Sequence, residues 1–368
     1  MVGRNRSGTA PSQPARTRRM MGRRLGALAV AVVMVAAAAV IRGRIDNDSG
    51  SGGGSSGGGS GPVSLVCASE LAQACKAIQS SDGDVHFTVE DAGVTASRLE
   101  TADAVTGIDG WLVEAPWPEI VDEARARNGL PDLFAADSAV LARSPLVMAM
   151  WNDRLAAISG SCADGALTWK CVGEVAGKQW SAIGGQDSWG VVKPGFANPL
   201  TDGIGALVLA QAAVSFFGTT ELSADQFNDD GFQRWIRQMA TSVPQHPTFL
   251  DMLTFGPSAV DVVGTTEAEA GPGLATSRDK ANITITYPAP VATADVVLAQ
   301  VAGASGGERL ARIVGGNRGL DALAAAAWRV PSHPPVTGVS TDVALPSDSG
   351  LPSPGAIDAL RQIWNDAK

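Results

Sequence analysis

Residues 49–61 read SGSGGGSSGGGSG, thirteen glycines and serines in a row. Nothing in that run can fill a core, and glycine loses more conformational freedom on ordering than any other residue. No compact fold is continuous across it, so the parts on its two sides have to be read separately. As a flexible coil it spans on the order of 20 Å. It contains one match to the serine-hydrolase pattern G-x-S-x-G, from Gly53 to Gly57. The match carries no chemistry, because a nucleophile elbow needs a sharp turn between a strand and a helix, and neither flanks it.

Ahead of the linker, residues 25–41 (LGALAVAVVMVAAAAVI) are 17 uncharged, mostly apolar residues, with seven arginines before them and two after. A bilayer asks for about 20 apolar residues in a spanning helix and accepts about 17. The run is also near the size of a signal-peptide core, with Ala37-Ala38-Ala39 offering a cleavage site, so a signal anchor and a cleaved signal both stay open. Either way, the arginine excess holds the N-terminal side in the cytoplasm and sends the rest outward. The expected plan is a basic cytoplasmic segment at 1–24, a transmembrane or signal segment at 25–41, a linker at 42–61 and a globular part at 62–368. That part would lie outside the cell, held at the membrane by a single pass. No cysteine follows the apolar run closely, which argues against lipid attachment.

Charge narrows the partners. Residues 1–45 hold nine arginines and no acid, which leaves 19 Lys and Arg against 37 Asp and Glu, a net charge of −18, for the remainder. A part so acidic is a poor partner for nucleic acid or anionic lipid, both of which need their phosphates neutralised. All four cysteines follow the linker as two close pairs, Cys67/Cys75 and Cys162/Cys171. An even count in an exported chain reads as disulfides; three pairings are open, and the two local ones are favoured. Neither spacing is the C-x-x-C of a redox centre. Three histidines leave almost nothing for a zinc site, and neither a metal nor a cofactor is expected.

After the linker, short apolar runs alternate with capped helical stretches. Val63–Val66 precedes Ser69, a candidate cap for a helix carrying Leu71, Ala74, Cys75 and Ile78. Val85–Val89, Trp111–Val113, Leu146–Trp151, Asp261–Val263, Ile283–Tyr287 and Val296–Val301 read as strands. Thr201 is the expected cap of a long apolar helix ending at Gly218, Ser223-Ala224-Asp225-Gln226 is a capping box, and Ser353-Pro354 opens a last helix. Such alternation predicts an α/β architecture with mostly parallel sheets.

Several motifs admit a catalytic reading and a plainer one. His86, His246 and His333 are scattered and read as ordinary histidines. Ser277-Arg278-Asp279-Lys280 matches S-x-x-K, but the companion S-D-N and K-T-G are missing. Gly203-Ile204-Gly205 lacks the third glycine of a dinucleotide fingerprint, so close helix packing explains it better. Glu267 and Glu269 have the form of a paired-carboxylate site, yet paired acids are common in so acidic a chain.

The order of segments resembles the bacterial extracytoplasmic solute-binding proteins of the type II periplasmic-binding fold, the class that includes molybdate-binding proteins. A closer likeness is to solute-binding domains of actinobacterial proteins, some found beside von Willebrand factor type A modules. The residues that carry it are Ser69–Ala72 (SELA), Asp109–Trp117 (DGWLVEAPW), Ala142–Met150 (ARSPLVMAM), Phe196–Gly203 (FANPLTDG), Val262–Glu267 (VVGTTE) and the apolar strand after Tyr287-Pro288-Ala289-Pro290. The resemblance implies two lobes, lobe I at 62–147 and 286–368 and lobe II at 148–285. It also implies a small-molecule ligand in the cleft between them, no catalysis, and a transporter or membrane partner. Ligand contacts are expected from Ser69, Trp117, Ser144, Asn198, Thr201, Thr266 and Glu267, through hydroxyls and backbone amides at helix starts. The readings from other classes are an exported hydrolase with a site that the sequence does not assemble, and a protein-interaction module with an empty cleft.

Overall fold

A computed structural model describes residues 61–368 except 102–104, 137, 332 and 341. The basic segment, the apolar run and nearly all of the linker lie outside the described residues. Among the described residues no helix is long and apolar enough to cross a membrane.

In chain order the first elements are β1 (Val63–Cys67), a 3-10 turn (Ser69–Leu71), α1 (Ala72–Ser81), β2 (Val85–Val89), α2 (Ala92–Leu99), β3 (Gly110–Ala115) and α3 (Trp117–Arg127). The middle holds β4 (Val140–Trp151), α4 (Asn152–Ser161), α5 (Trp169–Val175), β5 (Pro194–Gly195), α6 (Gly203–Phe217), α7 (Ala224–Phe227), α8 (Asp230–Ser242) and α9 (Phe249–Phe255). Then come β6 (Val262–Thr266), α10 (Glu267–Thr276), β7 (Ile283–Thr286), β8 (Thr293–Gln300), α11 (Gly307–Val314), α12 (Asn317–Ala325) and α13 (Pro354–Ala367).

The strands pair in the order β2-β1-β3-β8-β4-β6-β5, with β7 also on β4. One strand joins the two halves of this array. The first part of β4, from Val140 to Pro145, pairs with β8, and the second part, from Leu146 to Trp151, pairs with β6 and β7. Its second part is apolar without a break because it is covered on both faces. Leu146, Met148 and Met150 belong to the main core, while Val147, Ala149 and Trp151 belong to a second cluster with Phe249, Met252, Val260 and Ile283. The chain leaves the β1–β2–β3 half along β4 and returns to it from β7 into β8.

The array is mixed rather than mostly parallel. β1–β2, β1–β3 and β5–β6 are parallel, whereas β3–β8, β4–β6, β4–β7 and β4–β8 are antiparallel. The expected bias came from βαβ alternation, and the strands that cross between halves, β4 and β8, depart from it. The helix ends also differ in detail. Asp202, one residue after Thr201, caps α6, its side chain accepting from the Gly205 amide at 2.6 Å. Ser69 caps nothing; its hydroxyl donates to Asp91 at 2.6 Å. The helix opened by the Ser223 capping box stops at Phe227, and Asp229 caps a second one, α8. Ser353 caps α13 as expected.

α6 is buried from Gly203 to Val214, on every face, as its apolar sequence requires, and the one polar side chain in that span, Gln211, bonds to Trp169 and the Pro290 carbonyl. Gly205 lets it start close to the preceding loop: a Cβ there would stand 2.3 Å from the Ala197 carbonyl oxygen. At its C-terminal end Phe216 and Phe217 pack with Phe232 and Trp235 of α8 in an aromatic cluster.

Both local disulfides are present, Cys67–Cys75 tying β1 to α1 and Cys162–Cys171 tying the end of α4 to α5. Closing each loop of this length should stabilise by about 2.5 kcal/mol, chiefly by restricting the unfolded chain. Unreduced peptide mapping of exported protein should recover both bridges. Replacing either pair by serine should lower the unfolding free energy by about that amount. Free thiols, or bridges between the two pairs, would contradict this assignment.

Candidate functional site

A cavity of about 530 Å³ opens between the two halves of the strand array. One wall is Ser69, Glu70, Ala72 and Gln73, after β1, with Ala325–Trp328 at the end of α12. The opposite wall is the start of α6, the Thr248-Phe249 corner of α9, and the β6–α10 junction from Gly264 to Gly273. The volume suits a small metabolite. No Lys, Arg, His or Cys lies among the described residues that line it.

Helix starts converge there, as an α/β cleft leads one to expect. Their amides, however, are already bonded to the protein's own oxygens. Glu70 reaches across and its Oε1 accepts from the Gly203 and Ile204 amides of α6, at 3.1 and 3.3 Å. At α10, Ser144 Oγ accepts from the Ala268 amide at 3.0 Å and Thr266 Oγ1 from the Glu269 amide at 3.2 Å. Thr248 and Asp251 close a capping box on α9. These amides of α6, α9 and α10 are occupied.

What remains on the walls is acid. Glu70, Asp202 and Glu269 all line the cavity. Burial raises the Asp202 carboxyl well above the usual carboxylate range, and the Glu70 charge pushes the same way. Glu269 opens onto the cavity but is enclosed by its walls; that enclosure raises its carboxyl, against a hydrogen bond from the Thr265 hydroxyl. Behind them stands Glu114, on β3, fully buried at 0% exposure. Its carboxyl is raised well above the usual range by burial first and by the Glu70 charge second. Neither of its oxygens has a hydrogen-bond partner among the described residues.

The residues expected as ligand contacts separate into two groups. Ser69 and Thr266 line the cavity. Ser144 is fully buried beneath it and caps α10. Thr201 and Asn198 belong to the loop before α6, off the lining; the Thr201 carbonyl accepts from Gly93, and the Asn198 side chain accepts from Leu200. Trp117 is fully buried, with the Arg361 guanidinium 4.5 Å from its ring centroid. Glu267 turns away from Glu269 and is also fully buried. It receives Arg329 through Nε at 2.7 Å and Nη2 at 2.8 Å, the Ser340 amide at 3.0 Å, and the Tyr287 hydroxyl. Burial and then the Glu267 bond push Tyr287 up to about 12. This knot fastens the start of α10 to the return crossing and the C-terminal strap. Ser277-Arg278-Asp279-Lys280 forms a turn after α10, with the Ser277 hydroxyl accepting from the Asp279 amide.

Sequence reasoning missed Glu70, Glu114 and Asp202. A signal for Glu114 was available: it is the one charged residue in the apolar run GWLVEA. Glu70 and Asp202 gave none, because only the fold brings them together.

No protein-family model matches the chain, and no curated protein does. Solved structures do. The fructose-6-phosphate-bound periplasmic binding protein AfuA of Actinobacillus pleuropneumoniae superposes with a TM-score of 0.56 at 12% identity, over 84% of this chain and 98% of that one. A periplasmic thiamin-binding protein gives 0.56 at 13% identity, over 86% and 99%. Iron-bound HitA of Pseudomonas aeruginosa gives 0.53 at 14% identity, over 83% and 99%. At such identities the likeness shows the fold: the described residues have the α/β fold of periplasmic binding proteins.

Two variants test the electrostatics. Glu267→Ala strands the Arg329 guanidinium and should cost about 3–5 kcal/mol in chemical denaturation. Glu114 has the opposite sign. Its native carboxyl is raised, so its proton stabilises below the unfolded-state value and that contribution fades as pH rises towards the native one. Melting temperature should therefore fall from pH 5 to pH 8, and Glu114→Gln should flatten the slope and stabilise at pH 8. Each pKa unit is worth about 1.4 kcal/mol. A Glu114→Gln protein less stable than the parent at pH 8 would contradict the buried-acid account.

Proposed function

We propose that the chain is an extracytoplasmic solute-binding or solute-sensing protein, non-enzymatic, that holds a small molecule in the cavity between two lobes. The observation that carries this reading is the cavity itself, walled on one side by residues after β1 and α12 and on the other by α6 and the β6–α10 junction. Lobe I takes residues 62–147 and 286–368 and lobe II takes 148–285, so that β4 and the β7–β8 connection are the two crossings. Among the proteins of similar fold, AfuA holds fructose-6-phosphate, HitA holds iron and a third binds thiamin. Their fold supports a ligand cleft here. The narrower likeness to molybdate-binding and actinobacterial von Willebrand-associated domains rests on the sequence motifs alone.

The walls combine carboxylates and hydroxyls with apolar surface from alanines, Ile204 and Pro272, a lining suited to holding a small molecule. Export is supported by the two disulfides, which persist in oxidising compartments, and by the arginine bias around the apolar run at 25–41. On this reading the run is a single-pass anchor or a cleaved signal, and the partner is a transporter or other membrane protein.

The test is a thermal-shift screen of the full-length chain, held in mild detergent, against sugars, amino acids, oxyanions and amines. A true ligand at a hundred times its Kd should add about 2.7 kcal/mol of stability. Ser69→Ala and Thr266→Ala, checked for folding, should each weaken that ligand by about 5- to 100-fold, since a lost hydroxyl costs about 1 to 3 kcal/mol. A ligand that binds both variants as tightly as the parent would place the site elsewhere.

A further inference from the structure

We infer that the cavity is selective for organic cations bearing primary or secondary ammonium groups, with Glu70, Asp202 and Glu269 as their acceptors; this rests on the solute-binding reading above. Three observations converge. First, the three carboxylates share one cavity, and none of them is in an ion pair with a described cationic side chain. Like charges gathered in one cavity repel, and a positive ligand removes the repulsion. Second, Glu114 is wholly buried behind this wall, has no hydrogen-bond partner for either oxygen among the described residues, and turns its Oε2 to the start of α6 beside Glu70. A Cβ at Gly203 would lie 2.9 Å from Glu114 Oε2 and 3.3 Å from Glu70 Oε1, so the two carboxyls flank the first residue of α6. Third, the α6 and α10 amides that would attract an anion already bond to Glu70, Asp202, Ser144 and Thr266.

The chemistry of the free positions narrows the cation. Asp202 accepts a described hydrogen bond only at Oδ1 and Glu269 only at Oε2, so Asp202 Oδ2 and Glu269 Oε1 are left to accept from a ligand. Free carboxylate oxygens call for donors, and a charged N–H meets them more strongly than a neutral hydroxyl. A quaternary ammonium would instead need open aromatic faces, and the cavity's two aromatic residues, Phe249 and Trp328, are only 2% and 3% exposed. A metal ion is a poorer match, because no cluster of three or more His, Cys, Asp and Glu among the described residues has the spacing to hold one. Ala72, Ala197, Ile204, Pro272 and Ala325 supply apolar surface for a hydrocarbon stem between ammonium groups. A short aliphatic diamine or polyamine meets both requirements.

The experiment is calorimetry on the full-length chain in mild detergent at pH 7.5, with putrescine, spermidine, inorganic phosphate and glucose as probes. The amines should bind, and phosphate and glucose should not. Asp202→Asn keeps a capping side chain, and Glu269→Gln keeps an acceptor for Thr265, so both should fold. Each should weaken amine binding by about 10- to 100-fold, the usual range for losing a charged hydrogen-bond partner. Amine binding that survives both substitutions, or phosphate or glucose binding in place of the amines, would overturn the cation assignment while leaving a solute-binding protein. Failure of all four probes to bind would overturn the cation assignment, and a thermal-shift screen empty across every class would take the solute-binding reading with it.

Discussion

A strand that must be covered on both faces along half its length organises this molecule. Between Leu146 and Trp151 every side chain of β4 is apolar, and alternate residues enter two different cores. Such a strand cannot sit at a solvated surface without exposing one of its rows, at roughly 1.5–3 kcal/mol for each large side chain left in water. The fold meets this by running β4 out of one half of the array and into the middle of the other, with β6 and β7 on either side. The return from β7 to β8 then follows as the shortest way back. Two crossings leave a gap between the halves, and the cavity occupies it.

The gap has an unusual electrostatic character for a place where helices begin. Helix amino ends favour negative charge, and here the protein supplies that charge itself. Glu70 spans the gap to the first two amides of α6, so an internal carboxylate holds the position that a bound anion would take. The interaction does two things at once. It ties the β1 side of the cavity to α6, and it leaves the other carboxyls, Asp202, Glu269 and the buried Glu114, without an opposite charge. Burial raises those carboxyls first and the Glu70 charge adds to it, and the expected preference for a cation follows from the missing opposite charge.

The local parts of this structure were legible in the sequence. β4 was visible as an unbroken apolar run, α6 as a helix apolar on all sides that ends at Gly218, and α13 from its Ser353-Pro354 start. The disulfides followed from spacing and count. Strand direction was not legible, because β3 and β4 find their partner β8 more than 140 residues further on, and no local pattern encodes which way a distant strand will run. The break between α7 and α8 was hidden because Asp229 re-caps a helix whose apolar period continues through it. For the site, Ser69 and Thr266 were found because hydroxyls at strand-to-helix junctions have a local signature. Glu70, Asp202 and Glu269 come from three separated segments, so only the folded chain brings them together. Glu267 looked like a site residue by its neighbours in sequence, but its backbone position turns it towards Arg329 and Tyr287.

The central claim is that a small cation seats between the halves and touches both. Hydrogen exchange of the full-length chain, followed peptide by peptide with and without saturating putrescine, tests it most directly. The account predicts added protection in both walls together, at residues 69–73 and 325–328 on one side and 202–206 and 264–273 on the other. Protection confined to one wall, or confined to surfaces away from the cavity, would contradict it.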